Sequence, residues 1–253
     1  ATVSQGRVDA IASYGAKVVR TKGNYDDAVR QAAEDAAQQG RFVVSDTSYE
    51  GYMDVPKDVM QGYGVMADEA LAQWPEAELP THVFLQGGVG GLAAAVCAHL
   101  WEQLGAKRPR FVIVEPDKAA CLFESAKQGK PVAVHGELDT VMAGLACGEV
   151  SLLAWEILKP GAQAFLTIDD ESALEAMRIL ADGRFGDAPI VAGESAVAGL
   201  VGALAAAGDA ELRKQLDLND RSRVLVFGSE GATDPELYQR IVGKPAEAIK
   251  VAA

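Results

Sequence analysis

The run GGVGG at residues 87–91 is the part of the sequence whose composition points most directly to chemistry. It follows the apolar stretch HVFLQ and precedes the Ala-rich stretch LAAAV, which predicts a strand, a tight turn and a helix. Glycines let the backbone approach a phosphate closely, and the N–H groups at a helix N-terminus add positive potential. No Lys or Ser/Thr follows the last glycine, which excludes a Walker A loop. The run is therefore either a phosphate-binding loop or a tight turn where a helix packs closely on a strand.

A dinucleotide-binding interpretation of the same loop stays open. Gly88, Gly90 and Ala93 fit the pattern G-x-G-x-x-A, and Glu115 ends the next predicted strand. Glu115 lies 27 residues after Gly88 (115 − 88), which is longer than the usual spacing of about 20. A nucleotide-dependent Rossmann-type enzyme is therefore one alternative.

Two further glycine-bearing segments, AGESAVAG (192–199) and FGSEGATD (227–234), follow predicted strands. The carboxyl ends of parallel strands meet at one edge of a sheet, where ligands of α/β proteins bind. We expect the three glycine-bearing segments to converge there and to hold a phosphate-bearing ligand.

The elements that must position these loops follow from the alternation of apolar and amphipathic stretches. Asn24 is a predicted helix N-cap and Gly40 a predicted helix end. Predicted strands cover 17–20, 41–45, 81–86, 110–115, 163–168, 189–193 and 223–228, and predicted helices cover 4–16, 25–39, 57–74, 92–105, 170–182 and 195–207. Nearly continuous apolar strands that are separated by helices predict an α/β fold, a parallel twisted sheet with helices on both faces.

The length and apolar character of the predicted strands change along the chain. The predicted strands before residue 80 are shorter and less apolar than those after it. We therefore predict part of a smaller α/β domain at 1–62 and a larger α/β domain at 63–253.

Composition narrows the choice of partners and compartment. The chain of 253 residues has 23 Lys and Arg against 36 Asp and Glu, a net charge of −13, and a chain this acidic is repelled by a phosphate backbone. No run of about 18 apolar residues predicts a membrane span. The three cysteines, Cys97, Cys121 and Cys147, form no CxxC or Cys/His ligand spacing. We therefore expect no nucleic-acid or membrane partner, no metal site and a cytoplasmic location.

Several blocks of the sequence resemble a known family. GGVGGL after an apolar strand resembles the phosphate loop of fold-type II enzymes that use pyridoxal 5′-phosphate (PLP), and FGSEG resembles the strand end that faces the pyridine nitrogen in that fold. The blocks VVSDTSYEGY (43–52), VEPDKAACLF (114–123), TVMAGLACGE (140–149) and GESAVAGL (193–200) are similar to the diaminopropionate ammonia-lyase family. The resemblance covers essentially the whole chain.

The resemblance implies an activity and a set of site residues. The activity is the PLP-dependent α,β-elimination of 2,3-diaminopropionate to pyruvate and ammonia, in amino-acid catabolism and by a homodimer. Asp46 is implied as an acidic group involved in removing the Cα proton, Ser229 as the partner of the pyridine nitrogen, and Glu194 as a residue near the ring. The backbone N–H groups implied to bind the cofactor phosphate belong to Gly87, Gly88, Val89, Gly90 and Gly91.

The chain departs from the family at the lysine that forms the Schiff base with PLP. That lysine belongs to a Phe-Lys segment, and a Thr-Asp-Gly-Asn-His-like motif follows it. Neither is present in this sequence. The chain resembles the C-terminal two-thirds of such an enzyme, so we expect these 253 residues to have no lyase activity by themselves and to be poorly soluble or self-associating.

Two alternatives to the lyase assignment remain besides the nucleotide-dependent one. A serine/threonine dehydratase of the same fold would share GGVGGL and the Ser229 region but not the DTSYEGY and LACGE blocks. A catalytically inactive fragment that binds phosphate ligands is favoured by the missing lysine.

Overall fold

A single four-stranded parallel sheet organises the molecule, for which the computed structural model describes residues 3–74 and 78–250. The strands are β1 (His82–Gln86), β2 (Arg110–Pro116), β3 (Ala162–Ile168) and β4 (Val224–Val226), and their order in the sheet is β3-β2-β1-β4. The chain passes from β1 to β2 and β3 on one side and returns on the other side of β1 as β4. Its winding direction therefore reverses between β1 and β4, which places a ligand crevice outside the carboxyl ends of these two strands.

Helices surround this sheet. The described residues form the α-helices α1 (Gln5–Ser13), α2 (Tyr25–Gln39), α3 (Asp54–Ala72), α4 (Gly91–Leu104), α5 (Cys121–Gln128), α6 (Leu152–Gly161), α7 (Asp170–Asp182), α8 (Ala198–Gly208), α9 (Ala210–Leu216) and α10 (Pro235–Val242). Short 3₁₀ helices lie at Gly105–Lys107, Ala143–Leu145, Arg184–Gly186 and Ala246–Ala248. None of the helices in the described ranges is both long and apolar enough to cross a bilayer.

Two hydrophobic cores lie on opposite faces of the sheet. Val83 and Leu85 of β1 point into a core shared with α4 and α6, whereas Phe84 points into a core shared with α7 and α8. All three side chains are fully buried, and burying a side chain of this size contributes about 1.5–3 kcal/mol. The predicted parallel sheet with helices on both faces is confirmed.

The helix signals at Asn24 and Gly40 are also confirmed. The Asn24 side chain accepts from the Asp27 N–H, and the Asp27 carboxylate accepts from the Asn24 N–H, which closes a capping box. Gly40 ends α2 in the left-handed conformation.

Three predicted strands are wrong. The segments 17–20, 41–45 and 189–193 are not strands in the structure, because no described neighbouring strand pairs with them. Their β-branched and aromatic residues give the strand signal, yet Val19 and Phe42 are 66% and 79% exposed. β-propensity reflects packing on a sheet surface and cannot create that surface. The division at residue 62 stays a prediction, and α3 runs across it without interruption.

Candidate active site

A cavity of about 250 Å³ opens at the carboxyl ends of β1 and β4, where the winding direction reverses. Four stretches of chain contribute to its lining, at residue 46, at 88–92, at 144–147 and at 229–230. Tyr25, Gln86 and Ser195 complete it. The predicted convergence of glycine-bearing segments at one sheet edge is therefore present in the structure.

The glycine loop presents unpaired N–H groups to this cavity. Gly90 has a φ of +100° and is the N-cap residue of α4, and a Cβ atom there would lie 3.1 Å from Ala154 Cβ. No hydrogen bond among the described residues uses the N–H of Gly88, Gly90 or Gly91. These groups and the positive end of α4 form a site that suits an anion.

Gly87 is arranged differently from the rest of the loop. Its N–H donates to Val114 O at 2.8 Å, so it continues the hydrogen bonding between β1 and β2 and is not available to a phosphate. A Cβ atom at Gly87 would lie 2.8 Å from Ile113 Cγ2, which explains why this position needs glycine. Gly87 is therefore placed to support the loop by close packing, in contrast to its predicted role as an N–H donor.

Ser229 lines the same cavity as the glycine loop. Its Oγ accepts a hydrogen bond of 2.6 Å from Gln86 Nε2, which also donates to Phe227 O at 3.0 Å. Gln86 is 4% exposed, and its Oε1 is buried without a hydrogen-bond partner. An acceptor left in this state costs about 1–3 kcal/mol unless a ligand or water donates to it.

Asp46 lies beside the first turn of α4. A Cβ atom added at Gly91 would be only 2.5 Å from Asp46 Oδ2, so the glycine is what allows this close approach. The Tyr63 hydroxyl donates to Asp46 Oδ2 over 3.4 Å. Burial raises the pKa of Asp46 above its ordinary value, although the contact with Tyr63 opposes that shift.

A buried serine pair fixes the loop that carries Asp46. Ser48 N–H donates to Ser151 Oγ at 3.0 Å, and the two hydroxyls are 2.8 Å apart. Ser151 Oγ in turn donates to Asp46 O at 3.3 Å, and Ser151 N–H donates to Val89 O at 2.9 Å. Because these contacts join the Asp46 loop to the glycine loop through the start of α6, the carboxylate and the anion site keep a fixed spacing.

Glu194 does not line the cavity. Its Oε1 accepts from Arg7 Nη2 at 2.7 Å, and Arg7 also contacts Glu230, whose side chain does line the cavity. The Glu194 side chain is 6% exposed and the Glu230 side chain 13%. Arg7 therefore ties α1 to two loops at the rim, and the carboxylate of Glu194 is committed to that ion pair.

Glu115 has a structural role at the start of α5. Its two carboxylate oxygens accept from the N–H groups of Leu122 and Phe123 at 2.8 and 2.6 Å, at the start of α5. The side chain is fully buried, and burial raises the pKa of Glu115 to about 8. The dinucleotide interpretation loses the carboxylate on which it rested, because Glu115 does not reach the cavity.

Sequence reasoning missed several lining residues. Gln86 and Ser195 are not among the predicted site residues, although each has a signal. Gln86 is the one amide in the apolar run HVFLQ, directly before the glycine loop, and Ser195 follows Glu194 in GESAVAGL. Ser195 Oγ accepts from Gly144 N–H at 2.9 Å, which closes the cavity on the side of the 144–147 turn.

No lysine of the described ranges lines the cavity, and ten of the eleven lysines are exposed. In the same ranges no group of three or more His, Cys, Asp or Glu side chains is placed to hold a metal ion. The cavity therefore offers backbone donors, the hydroxyls of Tyr25, Ser195 and Ser229, an amide and two carboxylates, a set that fits an anionic group together with a polar ring or amine.

Comparison with known proteins gives a consistent family. Residues 1–230 match the family described as pyridoxal-phosphate dependent enzyme. The chain is 43% identical over 251 residues to the diaminopropionate ammonia-lyase of Escherichia coli strain K12, covering 97% of this chain and 63% of that protein. It is 32% identical over 196 residues to a biosynthetic L-threonine dehydratase of the same strain, covering 78% of this chain and 35% of that protein.

The structural comparison agrees with the sequence comparison. The crystal structure of holo diaminopropionate ammonia-lyase from Escherichia coli superposes with a TM-score of 0.87 at 42% identity, over 94% of this chain and 61% of that one. The resemblance predicted from the sequence blocks and the fold-type II architecture are confirmed. The chain spans about 63% of the length of the lyase that it matches.

Proposed function

The chain belongs to the pyridoxal-phosphate dependent enzyme family, and from this premise we propose that it carries the cofactor crevice of an enzyme that eliminates ammonia from 2,3-diaminopropionate, with pyruvate as the other product. The similarity to diaminopropionate ammonia-lyase over 97% of the chain supports this substrate. Because the relative is longer than the chain, the activity is proposed for the whole protein.

One observation carries the proposal: the glycine loop, Ser229 and Asp46 come from three distant parts of the sequence and line one cavity. The unpaired N–H groups of Gly88, Gly90 and Gly91 fit a phosphate. The Ser229 hydroxyl, which lines the same cavity, fits the polar edge of a ring. Pyridoxal phosphate has both features, so the residues present fit the cofactor.

Bound PLP supplies an electron sink that makes the Cα proton of an amino acid acidic. The residues of this chain then have three tasks. The glycine loop anchors the phosphate, Ser229 offers a neutral hydroxyl to the ring nitrogen, and the Asp46 carboxylate accepts the Cα proton. Burial raises the pKa of this carboxyl toward neutral pH compared with the pKa of an exposed Asp. Such a pKa suits a group that must both take up and return a proton.

A lysine that could bind the cofactor covalently is not among the described cavity-lining residues. The contacts proposed here are therefore the non-covalent part of the cofactor site. The same observation favours a second candidate function, a protein that holds a phosphate ligand without turning over an amino acid.

Release of pyruvate from 2,3-diaminopropionate by the whole protein with added PLP tests the proposal. We expect Asp46→Asn to lower turnover by roughly 10²–10⁴-fold, the usual range for a positioned acid or base, while PLP is retained. The exposed Asp58→Asn on α3 is the matched control and should keep full activity.

The same assay separates the candidate functions. Faster turnover of L-serine or L-threonine than of 2,3-diaminopropionate would reassign the protein to a dehydratase. PLP binding without pyruvate release from any of these substrates would support the non-catalytic candidate. A loss below tenfold in Asp46→Asn would remove Asp46 from the chemistry.

We further propose a homodimer in the cytoplasm that acts in amino-acid catabolism. The resemblance to the lyase family supports all three points, and the free, buried state of Cys97, Cys121 and Cys147 supports a reducing compartment. Sedimentation of the whole protein at a single mass of two chains is the expected result, and a monomer at micromolar concentration would contradict it.

A further inference from the structure

Gln86 is a buried amide at the wall of the cavity that the proposed mechanism does not use. It is the last residue of β1, it is 4% exposed, and the four residues before it in the strand are also buried. The NH₂ group of this amide is hydrogen-bonded, whereas its Oε1 is not, and burying an amide without any partner costs about 1–3 kcal/mol in typical proteins. The hydrogen-bond partners of Gln86 therefore indicate its role.

The orientation of the amide is fixed by a backbone carbonyl. Phe227 O lies 3.0 Å from Gln86 Nε2, and a carbonyl oxygen can only accept. The NH₂ group must therefore face Phe227, and the alternative orientation would place two acceptors against each other.

The second N–H of the same amide reaches Ser229. The distance from Gln86 Nε2 to Ser229 Oγ is 2.6 Å, and because the amide nitrogen is the donor, Ser229 Oγ accepts. No other hydrogen bond among the described residues involves Ser229. The hydroxyl proton is therefore left free to be donated into the cavity.

We propose that Gln86 is a positioning residue that makes Ser229 a hydrogen-bond donor, so that the site binds an unprotonated ring nitrogen of the cofactor. The inference rests on the proposed function, because it needs PLP in this cavity. The backbone carbonyl of Phe227 fixes the orientation of the Gln86 amide. The amide then makes Ser229 Oγ an acceptor from Gln86, so that the hydroxyl proton is directed at the ring nitrogen and favours its unprotonated form.

Ring-¹⁵N-labelled PLP bound to the whole protein reports that protonation state directly through the nitrogen chemical shift. We expect the shift of an unprotonated pyridine in the parent protein. A carboxyl at residue 86 is either ionised or carries a single proton, which the Phe227 carbonyl takes. In Gln86→Glu the oxygen that faces Ser229 can therefore only accept, so Ser229 donates to residue 86 and accepts from the ring. The ring nitrogen should then shift toward the protonated position, and Ser229→Ala in the same background should return it toward the unprotonated one.

Cofactor affinity gives a second readout that does not depend on Gln86→Glu folding. Gln86→Leu and Ser229→Ala should each weaken PLP binding by about tenfold, the effect of one hydrogen bond. The double variant should bind no more weakly than either single variant, because both changes break the same chain of contacts. Leu85→Val, on the opposite face of β1, controls for general loss of strand packing and should leave affinity unchanged.

The outcomes separate this inference from the proposed function. An unchanged nitrogen shift in Gln86→Glu, or additive losses of affinity in the double variant, would overturn the role of Gln86 while PLP binding stands. Failure of the parent protein to bind PLP would overturn both.

Discussion

Asp46 holds a carboxyl group between two opposing influences. Its Oδ2 lies against Gly91 at the first turn of α4, where the helix N-terminus favours negative charge. Burial disfavours that charge and has the larger effect, so the pKa of Asp46 is raised. A phosphate bound at the same helix end would add a second negative group close to this carboxyl, so the site is best suited to an Asp46 that can be neutral.

The raised pKa of Asp46 predicts how the stability of the protein changes with pH. Because the folded pKa of Asp46 lies above the unfolded value of 3.8, its contribution to stability is fully present below that value and is lost as pH rises through the folded pKa. Residue 46 cannot ionise in Asp46→Asn, so the melting temperature of this variant should rise relative to that of the parent protein as pH rises from about 4 to 8. A gap that stays constant with pH, or that is equally large in the exposed control Asp58→Asn, would contradict the burial of an ionisable Asp46.

Gly90 is the loop residue whose conformation only glycine adopts without strain. Its φ is +100°, and three side chains lie within 3.2 Å of the position that a Cβ atom would take, so Gly90→Ala should destabilise the fold by about 1–2 kcal/mol. We also expect it to weaken PLP binding at least tenfold, since the N–H groups around it must move. Thermal unfolding and a PLP titration measure the two effects, and Gly62→Ala on α3, which has open space and no positive φ, is the control. Parent-like affinity in Gly90→Ala would show that the loop does not hold the cofactor.

Among the elements, β1, the glycine loop and α4 could be predicted because each has a strong local signal: an apolar run, consecutive glycines and an Ala-rich stretch. The segments 17–20 and 41–45 carry a comparable strand signal but lack a partner strand in the described chain, and pairing is a tertiary property that a local pattern does not contain. The position of Ser229 and Asp46 at the cavity could be predicted from their sequence blocks, and their chemical roles stay predictions. The ion pair that removes Glu194 from the cavity joins residues 187 positions apart, and no spacing rule predicts such a contact.

We expect helix α1 to depend on this ion pair, because none of its residues is buried. Arg7 contacts Glu194 and Glu230 from α1, and replacing it leaves two largely buried carboxylates without a cation. Arg7→Met should therefore release α1 and raise amide hydrogen exchange across 5–13, while exchange in β1 stays slow. Arg41→Met, at an exposed and distant ion pair, is the matched control, and unchanged exchange in Arg7→Met would show that other contacts hold α1.

At the scale of the whole molecule, one topological feature explains where the site lies. The chain reverses its winding between β1 and β4, and the loops that follow these strands carry the glycine run and Ser229 to one crevice. The net charge of −13 and the cavity-lining carboxylates of Asp46 and Glu230 oppose a phosphate at this place. The backbone N–H groups of the glycine loop and the positive end of α4 supply the local potential that offsets them.

A crystal structure of the protein with PLP tests the central claim most directly, that this crevice holds the cofactor between the glycine loop and Ser229. We predict phosphate oxygens at hydrogen-bond distance, about 2.7–3.2 Å, from the N atoms of Gly88, Gly90 and Gly91, and the ring nitrogen at the same distance range from Ser229 Oγ. Phosphate density at any other place, or a crevice without cofactor at saturating PLP, would contradict the account.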